Sequence, residues 1–539
     1  MSRKLGILVL VIVLAGYLVG GHRGPSLAEA RGPAPCDPAQ FATVSAEDVM
    51  AGKLSFVGLP AVNVGRDIDW RADPRHNRSW MLNLHTLRWV GHLVVAFEST
   101  GRQDYLDRAT DIARDWVSDN PRGGLRISEW AWADHAVALR SPVLVCLSKH
   151  VKSAWLTRTL AEHAEALADD TLYKKGHNHG LDQDIALLAI GCRLVAPGWK
   201  KHALDRMIGS AELAIDPQGV LQEQAPRYGV YVHERLGVAM ATMRSCGEPI
   251  PERLTARRAA LEEYITHATQ PDGRIVPIGD SPADMRPKGY PHDDATVRVF
   301  EGGYVFGRTA WDRPDSAYYS IRFGPAQRFH GHEDHLGVTY HASGRDILVE
   351  AGFHSYEKTA YPRWTSSPQA HNVPVVVGKR FRPGTAGRLL KSSVTSDRQT
   401  YELGDSAYGV SRTRKVLVNH GDDVMAVWDS VPAGERVRGL WHFAPSLKVV
   451  SRGGGSVVLG DGAFRVTLTQ VALPSCEVVG GQQARFETIS LGYLRKSRSV
   501  TVVSPAVRSV VTVIVPGAGR PAVSCAGGIM RVGRVSFPV

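Results

Sequence analysis

The chain has 539 residues, 43% of them hydrophobic, and a formal net charge of +11. That hydrophobic content excludes a disordered or collagen-like protein, and at ~100–200 residues per domain the length excludes a single small domain.

The first segment reads as an export signal. Arg3 and Lys4 precede an uncharged run from Leu5 to Val19, and Ala28-Glu29-Ala30 has the small-x-small pattern of a cleavage site. The run is shorter than the ~20 residues a spanning helix needs, so a signal peptide over residues 1–30 is expected, with a retained membrane anchor as the alternative. Cleavage after Ala30 removes Arg3, Lys4, Arg23 and Glu29, +2 together, and leaves a basic mature chain of +9. The expected location is secreted or cell-envelope. A basic exported protein could meet nucleic acid, anionic envelope lipid or an acidic polysaccharide, and charge alone does not choose among them. Export and the lack of a recognisable DNA or RNA module count against nucleic acid.

The cysteines are Cys36, Cys146, Cys192, Cys246, Cys476 and Cys525, with no CxxC and no metal-like spacing. An oxidising compartment permits disulfides, with Cys192–Cys246 and Cys476–Cys525 as first pairings; buried free thiols are the alternative.

From about Trp80 to His267 the pattern is helical. Leu106, Ala109, Ala113 and Trp116 recur at three- and four-residue steps, as do Leu156, Leu160, Ala164 and Leu167 behind a Ser153 cap. Breakers at Asn120-Pro121, Gly176, Pro197-Gly198, Pro217 to Gly219 and Pro249 to Pro251 cut the region into stacked helical hairpins. After Gln270-Pro271-Asp272-Gly273 come short runs rich in valine and threonine between glycine turns. Phe464 to Thr469 alternates behind an Asp461-Gly462 turn, and Lys415 to Val418 and Val424 to Trp428 flank Gly421 as hairpin arms. The expected organisation is therefore a helical domain over 31–270 and an antiparallel β domain over 271–539. Gly453 to Gly455 is a loop.

Three segments could carry chemistry. Gly176-His177-Asn178-His179-Gly180-Leu181-Asp182-Gln183-Asp184 sits at the entrance of an apolar helix, whose free N–H groups suit an anion; the bland alternative is a capped loop. Gln222 to Tyr231 leads into another helix and carries Tyr228 beside Arg227, a cation that favours the phenolate; the alternative is a core tyrosine. Phe329 to His335 crowds three histidines with Glu333 and Asp334. If extended, it points His330 and His332 to one side, and imidazoles with a carboxylate are common zinc ligands; a hydrogen-bonded polar loop is the alternative.

Together these segments resemble the heparinase II/III-like polysaccharide lyases, a superfamily that includes oligoalginate lyases. The signatures stand in the family's order: NHG at Asn178 to Gly180, a QExxPxY-like stretch ending at Tyr228, HGHxDH from His330 to His335, then ILVEAG at 347–352 and His371-Asn372. The resemblance spans roughly Trp70 to Asp429. It implies an α+β multidomain fold, an incomplete α/α toroid followed by an antiparallel β-sandwich, and β-elimination on a uronate-containing acidic polysaccharide or oligosaccharide.

By the same carry-over, Asn178 with His179 nearby neutralises the substrate carboxylate, Tyr228 acts as the acid and, for one stereochemistry, also as the base, and His330 reaches in from the β domain, with His179 as an alternative base. His332, Glu350 and His371 fall where some members bind a structural zinc, with glutamate at 350 replacing the usual aspartate. Gly229 and His177 replace a histidine and a second asparagine found in many relatives. Competing readings are a glycoside hydrolase using Glu223 with Asp182 or Asp184, and a non-catalytic binder of envelope polysaccharide.

Overall fold

In the computed structural model, residues 44–421, 423–517 and 522–539 are described; the expected signal segment and Cys36 lie outside them. Among the described residues no helix is long and apolar enough to cross a membrane.

Helices run in succession from Arg78–His85 to Glu252–His267. The two stripes read from the sequence are core positions: Leu106, Ala109, Ala113 and Trp116 are buried, as are Leu156, Leu160, Ala164 and Leu167. Ser153 occupies the cap position of the Ala154–Ala168 helix but makes no side-chain cap bond. The Asn178–Arg193 helix is buried on nearly all sides, which explains its near-continuous apolar run. It packs beside Asp134–His150, Pro197–Ala214 and Pro226–Ser245, so chemistry at its first turn lies at the centre of the array.

The β half is antiparallel. A five-stranded sheet runs in chain order through Val297–Phe300, Tyr304–Arg308, Tyr318–Arg322, Val338–Ala342 and Arg345–Leu348. Val305, Tyr319, Ile321 and Tyr340 from this sheet share a core with Val416, Val418, Met425, Val427 and Leu468 from a nine-stranded sheet. The opposite face of the larger sheet, through Ala426, Trp428 and Val513, is covered by Met530, Val532 and Phe537 of a C-terminal three-stranded sheet. Burial on both faces accounts for strands that read as solid apolar runs. The hairpin around Gly421 forms as expected, pairing Lys415 with Trp428 and Val418 with Met425.

The halves share one interior. Tyr304, Phe306 and Tyr318 of the five-stranded sheet belong to the same cluster as the helical core. Arg308 donates to the Thr269 carbonyl at 2.8 Å, satisfying backbone acceptors left free where the last long helix ends. Cys192–Cys246 and Cys476–Cys525 are disulfides, and no described cysteine is free, so the buried-thiol alternative falls.

Candidate active site

His177 caps the Asn178–Arg193 helix, accepting the His179 backbone N–H on Nδ1 at 3.1 Å. Gly180 is required by close approach: a Cβ there would stand 2.2 Å from the Lys174 carbonyl oxygen. Glu223 reaches the helix start from the neighbouring segment. Its Oε1 accepts the Asn178 backbone N–H at 2.8 Å, and its Oε2 accepts from the Asn178 side-chain amide. The exposed N–H groups of a helix start favour that carboxylate. Burial still pushes the Glu223 carboxyl above its ordinary range, against the pull of His330 and Asn178.

On the other side of Asn178, His179 directs Nδ1 to Asp134 at 3.1 Å and stacks on His135 at 3.8 Å between centroids. His135 in turn binds Asp182 at 3.0 Å. Asp182 also accepts from Arg235 at 2.5 Å and from the Tyr231 hydroxyl at 2.6 Å, while Asp184 accepts from Tyr173 at 2.7 Å and Arg206 at 2.9 Å. Both carboxylates are fully buried and engaged by these partners, so neither forms an exposed catalytic pair with Glu223. That removes the geometric basis for the hydrolase reading.

Tyr228 lies in the first turn of the Pro226–Ser245 helix. Ala225 at the cap position makes no side-chain bond; Ser281 Oγ accepts the Arg227 N–H at 3.1 Å instead. The phenol hydroxyl hydrogen-bonds the Tyr356 hydroxyl, and the ring lies parallel to the His330 imidazole, 3.6 Å away at 8°. The sequence expectation of a phenolate favoured by Arg227 is corrected here. Burial outweighs the guanidinium, and Tyr228 is pushed up to about 12, so it is a neutral phenol at pH 7.

His330 sits in a turn, not an extended segment, with Phe329 before it at a φ of 46°. Even so, His330 and His332 converge: Nδ1 of His330 is 2.8 Å from one oxygen of Asp280, and Nε2 of His332 is 3.2 Å from the other. Gly279 allows that approach at a φ of +58°, where a Cβ would come within 2.6 Å of the His330 carbonyl oxygen. Burial would raise the Asp280 carboxyl, yet the two imidazoles hold it below its usual range. Nε2 of His330 faces Glu223 at 3.4 Å.

The structure thus brings Asn178, His179, Tyr228 and His330 into one neighbourhood, with Glu223 between Asn178 and His330. Solvent reaches it through the partly exposed His177, His179 and His330, and through Tyr356, which is 39% exposed. Sequence reasoning missed Asp280, Tyr356, Asp134 and His135. Asp280 falls in a loop with no periodic pattern, and only its place between Gly279 and Ser281 hinted at a built turn.

Deeper in the β domain, His332 and His371 lie 5.3 Å apart by ring centroids, and His371 Nδ1 is hydrogen-bonded to Glu350. Nδ1 of His332 and Nε2 of His371 are buried without a hydrogen-bond partner. Burial, reinforced by Asp334, pushes the Glu350 carboxyl up to about 8. Two imidazoles with unpartnered ring nitrogens and a nearby carboxyl are ligand types that suit a zinc ion, although Glu350 meets Nδ1 of His371 and not its unpartnered Nε2. Asn372 has a structural task, donating to Val338 and Val349 carbonyls at 2.9 Å and accepting the His442 N–H at 2.6 Å.

Comparison with known proteins agrees with this architecture. Residues 45–288 match the family model for the heparinase II/III N-terminus, and residues 298–513 match the heparinase II/III-like C-terminal model. A heparin-sulfate lyase of Bacteroides thetaiotaomicron is 21% identical over 393 residues, 60% of this chain and 55% of that protein. The chain therefore spans about half the length of the curated relative it matches. A heparinase III crystal structure shares the fold with a TM-score of 0.75 at 15% identity, over 96% of this chain and 91% of the other. A mutant of the heparan sulfate lyase HepC from Pedobacter heparinus gives a TM-score of 0.69 at 16% identity, over 96% and 92%. The two matched models meet between the helical array and the first sheet and together cover most of the chain, which belongs to the heparinase II/III family.

Proposed function

We propose that the chain is an exported polysaccharide lyase that cleaves a uronate-containing acidic polysaccharide by β-elimination. The observation that carries this reading is the parallel contact of Tyr228 with His330, two proton-transfer groups from different halves of the chain, beside the Asn178–Glu223 helix start. The names of the relatives, heparin-sulfate and heparan sulfate lyases, support a glycosaminoglycan as the substrate class. The basic net charge suits such a polyanion, with attraction that salt screens.

In the reaction the C5 proton leaves, its electron pair forms the C4=C5 double bond, and the C4–O4 bond breaks as O4 gains a proton. Asn178 has two amide hydrogens and gives one to Glu223, leaving the other for the substrate carboxylate, with His179 alongside. Asp280 takes the Nδ1 proton side of His330, so Nε2 carries the lone pair and acts as base. Tyr228, a neutral phenol hydrogen-bonded to the Tyr356 hydroxyl, protonates O4.

The test is to incubate the purified protein with a panel of polyuronates and follow ultraviolet absorbance of unsaturated uronate. A rate with at least one polymer that falls ~100-fold or more in Tyr228→Phe is expected. Full activity in that variant removes the phenol from the mechanism.

For the β domain we infer a structural zinc held by His332, Glu350 and His371, on the strength of the two unpartnered buried imidazole nitrogens. When bound, such an ion ties three separate segments together and stabilises the fold. Metal analysis should find zinc in the native protein and lose that equivalent in His371→Ala.

A further inference from the structure

A second convergence of ligand atoms lies in the cleft itself. Nε2 of His177 is 3.7 Å and Nε2 of His330 is 3.4 Å from Oε2 of Glu223. Among the described residues these three form the one His, Cys, Asp or Glu group whose ligand atoms all lie within 4.8 Å of one another. Donors ~2.1 Å from a tetrahedral zinc stand ~3.4 Å apart, so the Glu223 edges already approach a coordination shell. Nε2 of His330 is buried without a hydrogen-bond partner, and Nδ1 of the same ring is held by Asp280. A carboxylate behind a ligating imidazole is the usual support for a metal-bound histidine.

We propose that His177, Glu223 and His330 bind a divalent transition-metal ion of the zinc or cobalt type, and that this ion inhibits the enzyme. Two imidazoles and one carboxylate supply three ligands and leave a fourth position open to water. Glu223 Oε2 keeps a lone pair for the ion while accepting from Asn178. Ligation through Nε2 puts the His177 ring proton on Nδ1, so the His179 N–H loses its acceptor there while Nε2 gains the metal bond. Inhibition follows because the Nε2 lone pair of His330 goes to the ion and no longer accepts the C5 proton. Only the inhibition rests on the lyase reading; binding stands apart from it.

The full mature chain, stripped by chelator, is titrated with zinc by calorimetry and with cobalt(II) by visible absorption. His177→Asn deletes one ligand while asparagine remains a good helix cap, and His371→Ala reports separately on the deeper set. Zinc affinity at one site should fall at least ~10-fold in H177N and persist in H371A. His330→Gln gives the same binding reading should H177N fail to fold. Unchanged stoichiometry and affinity in both H177N and H330Q overturn the site. In the activity arm, zinc should lower the wild-type rate and leave the residual rate of H177N insensitive; a rate that zinc does not lower overturns the inhibitory assignment. If no polymer is cleaved, the lyase reading fails while calorimetry and the cobalt spectrum still decide the binding.

Discussion

Asp280 holds the imidazole of His330 through a 2.8 Å contact to Nδ1, fixing from an unpatterned loop the ring that stacks on Tyr228. Asparagine at 280 can still hydrogen-bond that nitrogen, but it no longer enforces the tautomer with Nε2 as acceptor. Asp280→Asn should therefore lower kcat by ~100-fold or more while KM changes little, because the loss concerns proton transfer and not binding. A variant with wild-type kcat would show that Asp280 serves His332 alone.

Much of this architecture could be read locally. The heptad-like spacing of Leu106 to Trp116 and of Leu156 to Leu167 reports a helix face directly, and the Lys415 to Trp428 hairpin follows from two apolar arms around a glycine. The candidate site was legible only where its residues lie in contiguous motifs. Asp280 and Tyr356 reach it from loops whose positions depend on the packing of both halves, so no spacing rule could point to them. Tyr228 shows the same boundary: Arg227 was visible as its neighbour, but the burial that overrides that charge is a property of the folded molecule. Glu223 read as an acid and turns out to anchor Asn178, a relation between segments far apart in sequence.

The fold holds several histidines as buried neutral rings, which sets its behaviour in acid. Burial, aided by Arg140, lowers His85 to about 4, and burial, aided by Arg322, lowers His335 to about 4. In the unfolded chain both take a proton near pH 6.5, so the folded state binds fewer protons between these values. Their contribution to stability is complete above pH 6.5 and is lost as pH falls toward 4, at ~1.4 kcal/mol per pH unit for each ring at most. Calorimetric scans should show Tm falling steeply from pH 6.5 to 4.5. A flat Tm across that window would mean that these rings are protonated in the fold.

Cys192–Cys246 ties the helix that begins with Asn178 to the helix that begins near Tyr228. Closing a loop with a sequence separation of 54 is worth about 4 kcal/mol in the chain-entropy account. The Cys192→Ser, Cys246→Ser double variant should thus show a lower Tm while keeping its kcat at low temperature, because the bond lies at the far ends of both helices from the site. Loss of activity without loss of stability would instead implicate the disulfide in aligning the two helix starts.

Gly180 gives the most local prediction. A methyl group at this position would overlap the Lys174 carbonyl, 2.2 Å from the new carbon, and that oxygen belongs to backbone that cannot swing aside like a side chain. Gly180→Ala should therefore displace the first turn of the helix, where Asn178 meets Glu223 and His179 meets Asp134. The helix interior would otherwise welcome alanine, which has the better intrinsic propensity by ~1 kcal/mol, so a stabilised protein is the opposing expectation. Overlap with backbone dominates here: the variant should lose Tm and lose most of its elimination rate together. Gly209, with open space around its added Cβ within the Pro197–Ala214 helix, supplies the control. Gly209→Ala should raise Tm slightly and leave the rate unchanged, and the two variants behaving alike would show that the entry turn tolerates displacement.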